Sequence, residues 1–168
     1  MTALIAYGID PGGTTGLAVA SWADDALTRA HVAQCDAGLA PDLLHTLLAM
    51  PREGQRPLGG IEAFISGRHS GRREGTQTRL LIAELVKIAA GYGVELRERS
   101  AGTVKPWATD VRLKAAGLAD LTPGSAHARD AQRHLLFTAC HDGGLPDPLS
   151  RRGRLTVRNL TAQELTGP

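Results

Sequence analysis

Residues 3–21 limit the possible folds more than any other stretch of the chain. ALIAYGID (residues 3–10) and TGLAVAS (residues 15–21) are two apolar runs of strand length, separated by Pro11-Gly12-Gly13-Thr14. Pro and Gly at those positions specify a turn. A connection this short cannot carry a parallel crossover, so the two strands pair antiparallel. The first run ends on an acid, Asp10, at the point where a sheet opens to solvent.

The rest of the chain alternates. A third strand is expected over residues 28–35. Pro41 reads as the first helical position of a segment reaching Met50, with Leu43, Leu44, Leu47 and Leu48 on one face. Residues 57–63 read as a strand carrying Glu62 near its end. Ser66 to Thr76 is rich in Gly, Ser and Arg, has no apolar period, and reads as a mobile loop. Residues 77–90 form a helix with two adjacent apolar stripes (Leu81, Leu85, Ile88 and Ile82, Val86, Ala89), wide enough for burial on more than one side. Gly91 and Gly93 end that helix, and Val94 to Arg97 is a short strand. Residues 107–118 read as helical. A last helix spans 125–141, with Ser125 as its N-cap. Early antiparallel strands followed by alternating helix and strand give an α/β fold, with helices flanking a mixed central sheet of about five strands. Residues 1–144 form one domain, and 145–168 a basic C-terminal arm with four arginines and little core material.

At 168 residues and 42% hydrophobic content the chain can bury a core of its own. No apolar run approaches the ~20 residues of a membrane span, and the first ten residues lack a signal-peptide pattern, so a cytoplasmic protein is expected. Cys35 and Cys140 have no CxxC neighbour, which excludes a four-cysteine zinc site. One disulfide or two free thiols remain open, and a reducing cytoplasm favours thiols. A net charge of +2 permits a nucleic-acid partner without demanding one.

Four residues carry the chemistry. Taken singly each has an ordinary explanation: Asp10 a turn, Glu62 a solvated strand end, His127 and Asp130 a surface pair favouring a helix start. His127 and Asp130 are three apart, on one helix face. Carboxylate oxygens are the ligands a hard divalent cation takes. An imidazole with its reference pKa near neutrality serves either as ligand or as proton carrier.

In order and spacing, GIDPGGTTGLAV, IEAF and HARDAQRHLL resemble the RuvC family of Holliday-junction resolvases within the ribonuclease H-like superfamily. The resemblance covers roughly residues 3–142, and with ATDVRLKAAGL it looks nearest to bacteriophage and actinobacterial members. It implies a ribonuclease H-like fold and a metal site of Asp10, Glu62, His127 and Asp130. It also implies two Mg2+ ions (Mn2+ substituting), hydrolysis of branched DNA, and a homodimer offering two sites to a two-fold junction. Many members carry Asp where this chain has His127, which leaves open whether His127 binds metal or moves a proton. Members often carry a base-contacting Phe shortly after the Glu. Phe64 comes at a shorter offset, and core packing is its other reading.

Arg68, Arg72, Arg73 and Arg79 follow Glu62 with only Glu74 opposing, a composition suited to clamping phosphates. Lys105, Arg112, Lys114 and Arg129 are expected to flank the other side of the same groove. Aromatic residues make up 4%, too few for a base-stacking platform. Flap or fork cleavage and trimming of ribosomal RNA precursors stand as alternatives within the superfamily. A non-catalytic DNA-binding module stands outside it. A sugar-kinase-like phosphate cradle, loosely matched by Asp10, Gly12 and Thr14, would need a second domain that 168 residues do not supply.

Overall fold

A computed structural model describes residues 3–50, 54–65, 72–121 and 124–150, with the side chains of 72–74 and 120 left aside. Five strands, β1 (Ala3–Asp10), β2 (Thr14–Ala23), β3 (Ala26–Asp36), β4 (Gln55–Glu62) and β5 (Leu96–Arg99), form one sheet in the order β3-β2-β1-β4-β5. β1, β2 and β3 pair antiparallel, while β4 joins β1, and β5 joins β4, in parallel. The helices are α1 (Ala40–Leu48), α2 (Arg72–Gly91), α3 (Ala101–Val104), α4 (Asp110–Ala115) and α5 (Ala126–His141). The expected mixed sheet of five strands is present.

Side chains alternate across a strand, and here that alternation divides the protein into two cores. Ile5, Tyr7, Ile9, Leu17, Val19 and Ile61 face α1 and α2, meeting Leu44, Leu47, Leu48, Leu81, Leu85 and Ala89. Leu4, Ala6, Ala18, Ala20 and Trp22 face α5, meeting Ala131, Leu135, Leu136 and Ala139. The second face is built from small residues, and its glycines set the spacing. A Cβ on Gly8 would lie 2.1 Å from the Ala131 carbonyl oxygen, and one on Gly16 would lie 1.9 Å from that of His127. A Cβ on Gly60 would lie 2.3 Å from Thr138 Oγ1. α5 therefore rests directly on the backbone of β1, β2 and β4.

Several elements differ from the sequence expectation. Residues 72–76, expected in a loop, belong to α2. The helix starts early because Gly75 packs on Phe64, whose Cζ would be 2.9 Å from a Cβ there; this contact is tertiary, and local composition does not reveal it. β5 starts two residues later than expected, with Val94 entering the core first. Residues 107–118 hold only the short α4, capped by the Thr109 side chain. α3, capped by Ser100, precedes it. Ser125 sits at the N-cap of α5 but makes no side-chain cap bond; the Gln34 side chain instead accepts from the His127 N–H at 3.2 Å.

Residues 145–150 continue onto the body. Leu145 packs on the α5-side core, and Asp147 accepts from Arg112. Residues 151–168 lie outside the described residues. Both cysteines are free, with Cys35 against one core and Cys140 against the other. Among the described residues no helix is long and apolar enough to cross a membrane.

Gly8→Ala and Gly16→Ala force a methyl group into α5 backbone. Each is expected to lower unfolding stability by at least the ~1–3 kcal/mol typical of overpacking. Gly91→Ala, which meets nothing within 4 Å, should be neutral or stabilising. Urea denaturation of the three variants checks the ordering.

Candidate metal centre

The strand period that builds the cores also aims the acids. Asp10 follows Leu4, Ala6 and Gly8 on the α5 face of β1, and Glu62 follows Gly60 on the same face of β4. Ile9 pairs with Ile61 in register, so the next residue on each strand is one of the two acids. The turn after Asp10 is closed by the buried Thr15 hydroxyl, which donates to the Gly12 carbonyl at 2.9 Å and accepts from the Gly12 N–H at 3.3 Å. A second tie runs from the Ala37 N–H to the Gly13 carbonyl at 3.0 Å. Asp10 is thus held at both ends of a short, rigid exit.

α5 brings His127 and Asp130 to this edge. His127 Nδ1 stands 2.7 Å from Asp10 Oδ2. Asp130 is occupied on both oxygens, by Arg133 Nη1 at 2.5 Å and by Lys105 Nζ at 2.8 Å. The same ammonium lies 3.4 Å from Glu62 Oε2. His134 Nε2 reaches that oxygen from beneath at 3.3 Å. Arg133 continues to Asp110 at 2.6 Å. The four expected residues are therefore neighbours at one sheet edge, arranged as an Asp10–His127 pair beside a Glu62–Lys105–Asp130–Arg133 chain. Among the described residues, no three His, Cys, Asp or Glu side chains converge at metal-holding distance; the Lys105 ammonium stands between two of the acids.

The electrostatics follow the geometry. Burial raises the Asp10 carboxyl above its ordinary value, with the charges of Glu62 and Asp130 adding to the rise and the His127 hydrogen bond opposing it. Burial also works to raise Glu62, but the His134 hydrogen bond and the Lys105 charge outweigh it and hold the group low. At Asp130 burial is likewise outweighed, by Lys105 and then Arg133. Burial would lower Lys105, yet Asp130 and Glu62 hold it above the usual lysine value. Three carboxylates and an imidazole are a donor set that fits a hard divalent cation. The ionised Asp10, disfavoured by burial and by two acidic neighbours, is the group that such a cation would relieve.

The basic residues divide. Lys105, expected to flank a groove, lies inside the acidic cluster. Arg112 donates to both Asp147 oxygens at 3.1 and 3.2 Å and sits 4.9 Å from the centre of the Trp107 ring. Lys114 is exposed on α4, and Arg129 is half-buried on α5. Arg68 and the side chains of Arg72 and Arg73 lie outside the described residues. A pocket of about 270 Å3 adjoins Glu62, walled by Pro11, Phe64, Ile65, Thr78 and Ala101. Phe64 is turned to the core beneath α2, with Arg79 5.2 Å from its ring centre. Its neighbour Ile65 is 66% exposed.

No protein-family model and no curated protein matches the sequence. Among solved structures the chain is similar to Thermus thermophilus RuvC in complex with Holliday junction substrate. That match has a TM-score of 0.58 and 19% identity, and it covers 84% of this chain and 96% of that one. A second Thermus thermophilus RuvC structure gives a TM-score of 0.56 at 19% identity, covering 87% of this chain and all of that one. The chain has the ribonuclease H-like fold of RuvC. Within that RuvC-like frame, sequence reading missed Arg133 and His134, although both follow from helical spacing: three and four residues after Asp130, on the face already assigned to the site.

Removing the buried charge of Asp10 should stabilise the metal-free protein. A raised folded-state pKa means that the ionised form costs stability, from the ordinary carboxyl range upward in pH. Asp10→Asn is therefore expected to raise Tm at neutral pH, and the gain should shrink as pH falls. Glu62 and Asp130, held low, contribute stability that is lost as pH falls. Calorimetry at several pH values, with a chelator present, reads both trends.

Proposed function

We propose that the chain is a divalent-metal-dependent endonuclease that cuts branched DNA, and that its substrate is the four-way junction. The observation that carries this reading is the gathering of Asp10, Glu62, His127 and Asp130 at one sheet edge of a RuvC-like fold. The neighbour solved with Holliday junction substrate supports the substrate class.

Asp10, Glu62 and Asp130 would hold Mg2+, with Mn2+ substituting and two ions per site, and His127 beside them. When bound, such ions would activate the attacking water and offset charge on the leaving 3′ oxygen. The chain's own residues do the rest. Asp10, fixed by the Thr15-closed turn, would fix where the cation sits and, through it, where the reacting phosphate is held. His127, 2.7 Å from Asp10, holds or relays a proton at Nδ1. Lys105 supplies positive charge to the same edge and is free to swing from Glu62 and Asp130 toward a phosphate oxygen as cations replace it.

α2 runs past the site, since Thr78 shares the pocket with Glu62. Arg68, Arg72 and Arg73, which precede and open α2 in the sequence, would supply positive charge for the backbone of an incoming arm, and Lys114, exposed on α4, would add to it. Ile65, exposed beside the pocket, and Phe64, half-buried in its wall, would offer the unpaired bases at a branch point an apolar contact. A second copy paired through the outer face of α2, where Leu80 is 67% exposed, would give the two cuts that a junction requires.

Asp10→Asn is expected to lose Mg2+- and Mn2+-dependent cleavage while still binding junction DNA. Retained cleavage would refute the site. In a panel of junction, flap, fork, linear duplex and structured RNA, the junction should be cut fastest; preference for flaps, forks or RNA would assign one of the related activities instead. Replacing Arg72 and Arg73 with Gln should weaken junction binding and flatten the slope of log K against log salt by roughly 1–2, measured by fluorescence anisotropy.

A further inference from the structure

We propose that His134 is a positioning residue that fixes the Glu62 carboxylate for divalent-cation binding. The proposal rests on the metal-nuclease reading above and adds a residue to it. His134 is 1% exposed. Its Nε2 makes a 3.3 Å contact with Glu62 Oε2, while Nδ1 has no hydrogen-bond partner among the described residues. An apolar side chain of similar volume would fill this position without stranding a ring nitrogen, so packing alone does not account for an imidazole here. The ring with Nε2–H donating to the carboxylate leaves only an acceptor unpaired, a smaller penalty than a buried, unpaired donor.

The backbone explains why the contact is rigid. Gly60, two residues before Glu62 and on the same strand face, lets α5 lie so close that a Cβ there would be 3.2 Å from the His134 carbonyl oxygen. His134 is thereby pressed against β4 directly behind the Glu62 side chain. Lys105 contacts the same Oε2, but from a long side chain at the C-cap of α3. A cation arriving at Glu62 repels that ammonium. The His134 ring, 1% exposed and fixed by the close packing of α5 on β4, stays and holds Oε2. Anchoring one oxygen removes rotamer freedom from a long, flexible carboxylate before the metal binds. Hydrogen-bonding partners of metal ligands commonly account for 10–100-fold in metal affinity.

The test is Mn2+ binding to the full chain, followed by the paramagnetic resonance signal of free Mn2+, with denaturant stability measured in chelator. His134→Leu keeps the volume and removes the donor; His134→Gln places an amide N–H about where Nε2 lies. His134→Leu should weaken Mn2+ binding ~10–100-fold without a matching loss of metal-free stability. His134→Gln should stay within severalfold of the wild type. Equal affinity in wild type and His134→Leu, or equal weakness in both variants, overturns the positioning role while leaving the metal site standing. A wild-type chain that binds no Mn2+ overturns both.

Discussion

Everything at the candidate site depends on how closely α5 lies on the sheet. Gly8, Gly16 and Gly60 remove the side chains that would hold it off, and the helix backbone settles against three strands at once. That contact places His127 over the end of β1 and His134 behind the end of β4. An ordinary helix-on-sheet spacing would leave the Asp10–His127 and Glu62–His134 contacts out of reach. The glycines forgo the apolar burial that alanines would bring, and obtain in exchange a fixed position for functional groups on different elements.

The second organising fact is charge balance. Three acids crowd one edge, and the fold answers with Lys105, Arg133 and two histidines. Glu62 and Asp130 are answered well and are held in their ionised state. Asp10 is answered chiefly by the His127 hydrogen bond and stays raised. Burial and charge thus pull apart at one residue, a pattern common where function and stability compete.

Much of this was legible in the sequence because it rests on local periods. The apolar runs put Asp10 and Glu62 each at a strand end, and the i, i+3 spacing puts His127 and Asp130 on one helix face. The α5 elements that went unread, Arg133 and His134, obey the same spacing but look like ordinary helix residues until the sheet is set against them. Lys105 was legible only as a basic residue, because the single-turn α3, placed by packing, carries it into the cluster at its C-cap. The early start of α2 was hidden for a similar reason: Gly75 resembles a helix breaker until Phe64 is beneath it.

At the far end of α5, Asp142 gathers Arg97 and Arg99 onto its two oxygens at 2.7 and 2.6 Å, while Arg56 donates to its backbone carbonyl. An acid at a helix C-terminus opposes the macrodipole, and these arginines from β4 and β5 offset that. They also act as a detent against axial creep. A slip of one residue moves a helix about 1.5 Å along its axis and turns it by roughly 100°, which would swing His127 off Asp10. The tie that prevents this lies a full helix length from the site, so wear at the Asp142 end would be felt as lost alignment at the other.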